Sequence, residues 1–74
     1  MKKILITGGS GYVGSILCPY LAEKGHMITS YDLMIYGETL PEHKNIKIVK
    51  GDIREKDKLI KSLENQDVVI HLAC

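Results

Sequence analysis

The apolar residues of this chain fall into short runs and periodic stripes, separated by polar and glycine-rich stretches. Ile4-Leu5-Ile6 is a run of branched apolar residues that predicts a strand over Lys2 to Thr7, covered on both faces. From Gly11 to Lys24 the apolar positions recur at helical spacing. Val13, Leu17 and Leu21 lie four apart and form one stripe, with Ile16 and Tyr20 beside it. Pro19 removes the bond to the Ser15 carbonyl and should bend this helix, yet the periodicity continues past it, and Gly25 is a natural stop. A strand is predicted over Met27 to Asp32, followed by a polar loop from Leu33 to Asn45 that contains Gly37 and Pro41. Ile46 to Lys50 alternates apolar with charged positions, as a strand at a sheet edge does. Glu55 to Glu64 predicts a helix with Leu59, Ile60 and Leu63 as its buried face, and Val68 to Leu72 a buried strand.

Strands and helices alternate, which predicts an α/β fold. With right-handed crossovers the order gives a parallel sheet, strands 3-2-1-4, with helices on both faces, the N-terminal half of a doubly wound fold. The sequence stops on its last apolar run, Asp67 to Cys74. The expectation is therefore a fragment, residues 1–74 being the first part of a longer protein whose substrate domain lies elsewhere. Such a piece should expose an apolar edge and be poorly stable or self-associated.

Composition narrows the field. At 74 residues the chain is at most one small domain, and its 45% hydrophobic content, without Phe or Trp, implies a core of Ile, Leu and Val. A net charge of +1, with both signs spread along the chain, gives no reason to expect nucleic acid or a membrane as partner. Cys18 and Cys74 form no C-x-x-C pair and no His lies at ligand spacing, so no metal site is expected; reduced buried thiols and a cytoplasmic location are. The apolar run behind Met1-Lys2-Lys3 stops at Thr7, too early for an export signal.

The chemistry is concentrated where the first strand meets the first helix, at Thr7-Gly8-Gly9-Ser10-Gly11-Tyr12-Val13-Gly14. Gly9, Gly11 and Gly14 fit G-x-G-x-x-G, and Thr7, Gly8, Gly11 and Gly14 fit T-G-x-x-G-x-x-G. Glycines after a strand leave no side chains where a phosphate must approach the backbone, and a helix start offers unpaired N–H groups. The backbone at Gly8, Gly11, Tyr12, Val13 and Gly14 is therefore expected to hold a pyrophosphate without a basic side chain. A Walker phosphate loop is excluded, because Ser15 stands where its lysine belongs. Asp32 closes the second strand 18 residues after Gly14, where an acidic residue accepts from the adenosine ribose hydroxyls and repels a 2′-phosphate. No Arg or Lys occurs from Leu33 to Leu40 to hold such a phosphate, so NAD is expected over NADP.

This pattern resembles the short-chain dehydrogenase/reductase family, and the doubled Gly8-Gly9 its extended branch, of the NAD-dependent epimerase/dehydratase type. Gly51-Asp52-Ile53-Arg54-Glu55 and His71-Leu72-Ala73-Cys74 are similar to two further segments of that family. The resemblance implies a Rossmann-type domain. It also implies that Asp52 accepts from the adenine amino group, that the Ile53 N–H reaches a ring nitrogen, and that Leu72 and Ala73 pass close to the cofactor. The spacing of Asp52 and Glu55 also fits a capping box, in which Asp52 starts the helix instead. His71 reads as a packed strand residue rather than a base. Tyr20 and Lys24 have the Tyr-x-x-x-Lys spacing of the family's catalytic pair but sit at the wrong end of the first helix, so no catalytic residue is assigned. The intact protein is expected to be a homodimeric oxidoreductase or isomerase acting on a nucleotide-sugar by hydride transfer to NAD. The alternatives are a net NAD(P)-dependent reductase or dehydrogenase of the same family and a non-enzymatic NAD-sensing module.

Overall fold

In the computed structural model, which describes residues 1–9, 11–33 and 43–72, six elements follow one another. They are β1 (Lys3–Thr7), α1 (Tyr12–Glu23), β2 (Met27–Asp32), β3 (Ile46–Lys50), α2 (Lys56–Leu63) and β4 (Val68–His71). The strands form one parallel sheet in the order β3-β2-β1-β4, as the alternation of elements predicts. The predicted loop over 34–42 lies outside the described residues, as do Ser10, Ala73 and Cys74.

Strand β1 is central and its Ile4, Leu5 and Ile6 are buried. Side chains alternate across the sheet. Ile4 and Ile6 point to the face covered by α1, where they pack with Cys18, Ala22 and Ile28, flanked by Leu17, Leu21, Ile46, Ile70 and Leu72. Leu5, Thr7, Thr29 and Tyr31 belong to the opposite face. The chain leaving β3 passes over that side: the Tyr31 hydroxyl donates to the Asp52 carbonyl (2.8 Å) and Gln66 Nε2 donates to Thr29 Oγ1 (3.3 Å). Helices thus flank both faces.

The helix α1 continues through Pro19 and ends in a Schellman motif. Gly25, at φ +90°, donates to the Ala22 carbonyl (3.0 Å), and His26 donates to the Leu21 carbonyl (3.3 Å). Its buried stripe is not the one the large apolar residues predict. Gly14, Cys18 and Ala22 face the sheet, Leu17 and Leu21 pack at the margin, and Val13, Ile16 and Tyr20 are exposed. A helix held this close to a sheet buries its smallest side chains, and the larger ones turn outward. They line an apolar groove with Tyr12.

Two further expectations of burial are corrected. In α2, Leu59 is half-buried while Ile60 and Leu63 are exposed. In β4, Val68 and Val69 are exposed rather than covered. Strand β4 pairs only with β1 among the described residues, so its outer edge is open. Strand β3 is the other edge, as its alternating pattern implies.

Candidate dinucleotide site

All four strands run the same way, so their carboxyl ends share one rim. Thr7 pairs in register with Tyr31 and His71, and Asp32 with Lys50. The ladder extends one residue beyond the strands on both sides of β2: Gly8 N–H donates to the Tyr31 carbonyl and Gly51 N–H to the Asp32 carbonyl, both at 2.8 Å. The turns after β1 and β3 therefore leave the sheet at one level. The chain proceeds from β1 toward β2 and β3, then returns to the other side of β1 at β4, and ligand crevices of open α/β sheets lie at such a reversal.

At that point the backbone turns on Gly8, whose φ of +76° lies in the left-handed region that favours glycine. Gly11 N–H donates back to the Gly8 carbonyl (3.1 Å) and closes the turn. Gly9 lies against β2 and α1: a Cβ there would stand 2.8 Å from Ser30 Cβ, nearer still to its Oγ, and 3.3 Å from Cys18 Sγ. A Cβ on Gly14 would stand 2.5 Å from both the Gly9 carbonyl carbon and its Cα. Helix and turn thus touch through backbone at Gly14 and Gly9, and the turn meets β2 through the small side chain of Ser30.

Helix α1 starts on Gly11 without a side-chain cap, and the first bond of the helix is Ser15 N–H to the Gly11 carbonyl (2.8 Å). The N–H groups of Tyr12, Val13 and Gly14 consequently have no helical carbonyl to donate to. An anion there would accept from several amides. Each hydrogen bond to a charged group contributes roughly 1.5–3 kcal/mol, whereas the helix dipole adds roughly 0.3–1 kcal/mol. Alignment of the amides, rather than the dipole, would dominate affinity.

Asp32 lies two residues beyond Ser30, on the sheet face that meets the glycine turn. Its charge is felt at Cys18, whose thiol is pushed up to about 11, first by burial and then by Asp32. The thiol therefore stays protonated at neutral pH and serves as packing, donating weakly to the Gly9 carbonyl (3.7 Å).

The turn after β3 carries the second group of candidate residues. Asp52 N–H donates to Glu55 Oε1 (2.9 Å), but the Asp52 carboxylate does not return the bond to Glu55. It accepts instead from the Arg54 N–H (2.9 Å) and from the guanidinium, with Nη2 at 2.6 Å. The capping box is therefore only half made. Arg54 holds the Asp52 carboxyl below its ordinary value of 3.8, by side-chain and then backbone hydrogen bonding. The pair persists in acid until the pH falls through that lowered value, and only then does protonation release it. A base amino group at Asp52 would have to share this carboxylate with Arg54.

Ile53 is half-buried, and its N–H donates to no described residue. Leu72 packs into the α1-side core and its N–H donates to the Thr7 carbonyl (2.9 Å), so only its carbonyl side remains for a ligand. Ala73 lies outside the described residues. His71 Nδ1 and Thr7 Oγ1 share a hydrogen bond (2.6 Å) on the other face of the sheet, so His71 is a hydrogen-bonded strand residue, but it is exposed rather than packed. Tyr20 and Lys24 form an ordinary contact across one helical turn, the ammonium 5.3 Å from the ring centroid, at the end of α1 remote from the glycine turn.

Two residues of the site escaped the sequence reading. Ser30 is fully buried, and its Oγ, pressed against Gly9, has no hydrogen-bond partner among the described residues. A small polar residue two positions before the strand-ending acid was the available signal. Tyr31 is fully buried between the two turns, and finding it required the register of β2 with its neighbours. Among the described residues no cluster could hold a metal ion, and no helix is long and apolar enough to cross a membrane.

Residues 4–74 match the profile of the NAD dependent epimerase/dehydratase family. A 3 beta-hydroxysteroid dehydrogenase/Delta 5-->4-isomerase of Mycobacterium tuberculosis is 32% identical over 73 residues, which cover 99% of this chain and 19% of that protein. Among solved structures, epimerase Mth375 of Methanothermobacter thermautotrophicus superposes with a TM-score of 0.92 at 41% identity, over 99% of this chain and 23% of that one. WbmG of Bordetella bronchiseptica, solved with NAD and UDP, superposes with a TM-score of 0.89 at 28% identity, over 99% of this chain and 25% of that one. The chain thus spans about a fifth to a quarter of the length of these relatives. The family's cofactor is NAD, which matches a glycine turn entered through the positive φ of Gly8 and an acid at the end of the second strand. By sequence profile, fold and site geometry alike, this chain belongs to the NAD dependent epimerase/dehydratase family.

Proposed function

We propose that these residues form the NAD-binding portion of a sugar-nucleotide epimerase or dehydratase that works by hydride transfer. The observation that carries this reading is the positive-φ turn at Gly8, which delivers the chain to an uncapped helix start with Asp32 ending the adjacent strand on the same face. Bound NAD would supply the hydride acceptor. The protein's part is to bind and orient it. The amides of Tyr12, Val13 and Gly14 hold the diphosphate, while those of Gly8 and Gly11 are engaged in closing the turn beside it, and Asp32 accepts from the adenosine ribose hydroxyls and repels a 2′-phosphate. Asp52 and Ile53 meet the adenine edge, and the backbone around Leu72 and Ala73 borders the rest of the cofactor. No described residue is assigned to proton transfer.

A nucleotide-sugar substrate is supported by the UDP complex of WbmG. The steroid dehydrogenase/isomerase relative favours a second reading, net oxidation with release of reduced cofactor. Accumulation of free NADH during turnover would distinguish the second from the first. A homodimer and a cytoplasmic location belong to the same proposal; the first rests on family resemblance and the second is in keeping with the free, buried thiol of Cys18. Calorimetric titration with NAD and NADP tests the cofactor assignment. Tighter binding of NAD is expected, and a clear preference for NADP would refute the role given to Asp32.

A further inference from the structure

We infer that Tyr31 is a positioning residue that sets the base specificity of the nucleotide site by fixing the peptide between Asp52 and Ile53. The inference rests on the reading of Asp52 and Ile53 as the adenine contact. Tyr31 touches both cofactor-facing turns. Its carbonyl accepts from the Gly8 N–H (2.8 Å), and its hydroxyl donates to the Asp52 carbonyl (2.8 Å). Its ring lies against Gly51, where a Cβ would stand 2.6 Å from both Cζ and the hydroxyl oxygen. Gly51 therefore lets the turn settle onto the ring, and the fully buried ring sets the height of the turn.

The peptide plane supplies the directional argument. The Asp52 carbonyl and the Ile53 N–H belong to one peptide unit, and the described chain contains no cis bonds. In a trans peptide the N–H points opposite to the C=O. The carbonyl is drawn toward the protein by two donors, the Tyr31 hydroxyl and the Glu55 N–H (3.0 Å). The Ile53 N–H is thereby aimed away from Tyr31, with no acceptor among the described residues. This is the amide assigned to an adenine ring nitrogen. Burial, with the charges of Glu55 and Asp52 adding, pushes the Tyr31 hydroxyl above its ordinary value of 10, so it stays a donor at neutral pH.

Tyr31→Phe removes the hydroxyl and keeps the ring against Gly51, while Glu55 N–H still satisfies the Asp52 carbonyl, so the variant retains its fold. The test measures binding of NAD and of nicotinamide hypoxanthine dinucleotide to the full-length protein carrying these residues, with and without the substitution. Hypoxanthine presents N–H where adenine presents a bare ring nitrogen, and a carbonyl where adenine has its amino group. The unaltered protein should prefer NAD. Tyr31→Phe should narrow that preference by about three- to tenfold, the range of one lost hydrogen bond, with NAD weakened and the hypoxanthine analogue nearly unchanged. Equal weakening of both ligands, or no change in either, would make Tyr31 a merely structural residue and overturn the inference. If the unaltered protein shows no preference, the adenine reading of Asp52 and Ile53 fails first and takes the role of Tyr31 with it.

Discussion

Replacing Gly14 with alanine is expected to lower NAD affinity by more than about tenfold, a loss on the scale of one misaligned charge-assisted hydrogen bond, and to destabilise the fold as well. The added methyl would stand 2.5 Å from the Gly9 carbonyl carbon and Cα, and these are backbone atoms with no rotamer to move to. Gly9 has no room to retreat, because Ser30 and Cys18 lie against it on the other side. The helix must therefore move away from the turn. Two effects oppose each other here. Alanine is the better helix former by roughly 1 kcal/mol, while overpacking of a tight contact costs roughly 1–3 kcal/mol. Contact with rigid backbone places the penalty at the upper end, which leaves a net loss of about 2 kcal/mol. Chemical denaturation reads the stability and calorimetry the affinity. A variant that is more stable and still binds NAD normally would show that helix propensity outweighs the close approach.

The second large effect concerns cofactor choice. Asp32→Ala is expected to weaken NAD about ten- to a hundredfold, since a carboxylate accepting from ribose hydroxyls contributes roughly 1.5–3 kcal/mol. NADP should bind the variant no worse than it binds the original protein, because the repulsion of a 2′-phosphate disappears with the charge. It should not bind tightly, as Leu33 to Leu40 contains no basic residue. The preference between the two cofactors should therefore collapse rather than invert. The same substitution carries an internal check of geometry. Asp32 contributes to the raised pKa of Cys18, so the thiol should titrate below about 11 in the variant while remaining above its ordinary value through burial. An unchanged preference for NAD would remove Asp32 from the ribose, and an unchanged thiol would remove it from the neighbourhood of the turn.

How much of this was legible in the sequence depends on whether a property belongs to a short stretch or to its surroundings. The run Ile4-Leu5-Ile6, the glycine spacing, the Gly25 stop and the end of β2 at Asp32 are local, and each lies where the pattern predicts. The strand order follows from the handedness of crossovers and is observed. The buried side of α1 was misread because large apolar residues cover much of its circumference. Gly14, Cys18 and Ala22 form the inner stripe because the helix sits against a turn that admits only small groups. Ile60, Leu63, Val68 and Val69 are apolar yet exposed, since burial is a property of neighbours rather than of a residue's own hydrophobicity. In the site, the glycine turn and Asp32 were readable as a spaced motif. Tyr31 was not, because its role arises only when β1, β2 and β3 stand in register and bring Gly8 and Asp52 to its two ends. The competition between Arg54 and the half-made capping box for Asp52 likewise appears only in three dimensions.

The central claim is that backbone amides at the start of α1 receive the diphosphate of NAD while acids at the ends of two neighbouring strands receive its adenosine. An amide-resolved NMR titration with NAD, set beside one with adenosine, tests it most directly. NAD should move the Gly9, Gly11, Tyr12 and Val13 signals together with those of Asp32 and Ile53, whereas adenosine should move the latter pair and leave the glycine turn in place. A saturable NAD response that leaves Gly9 through Val13 unmoved would contradict the account.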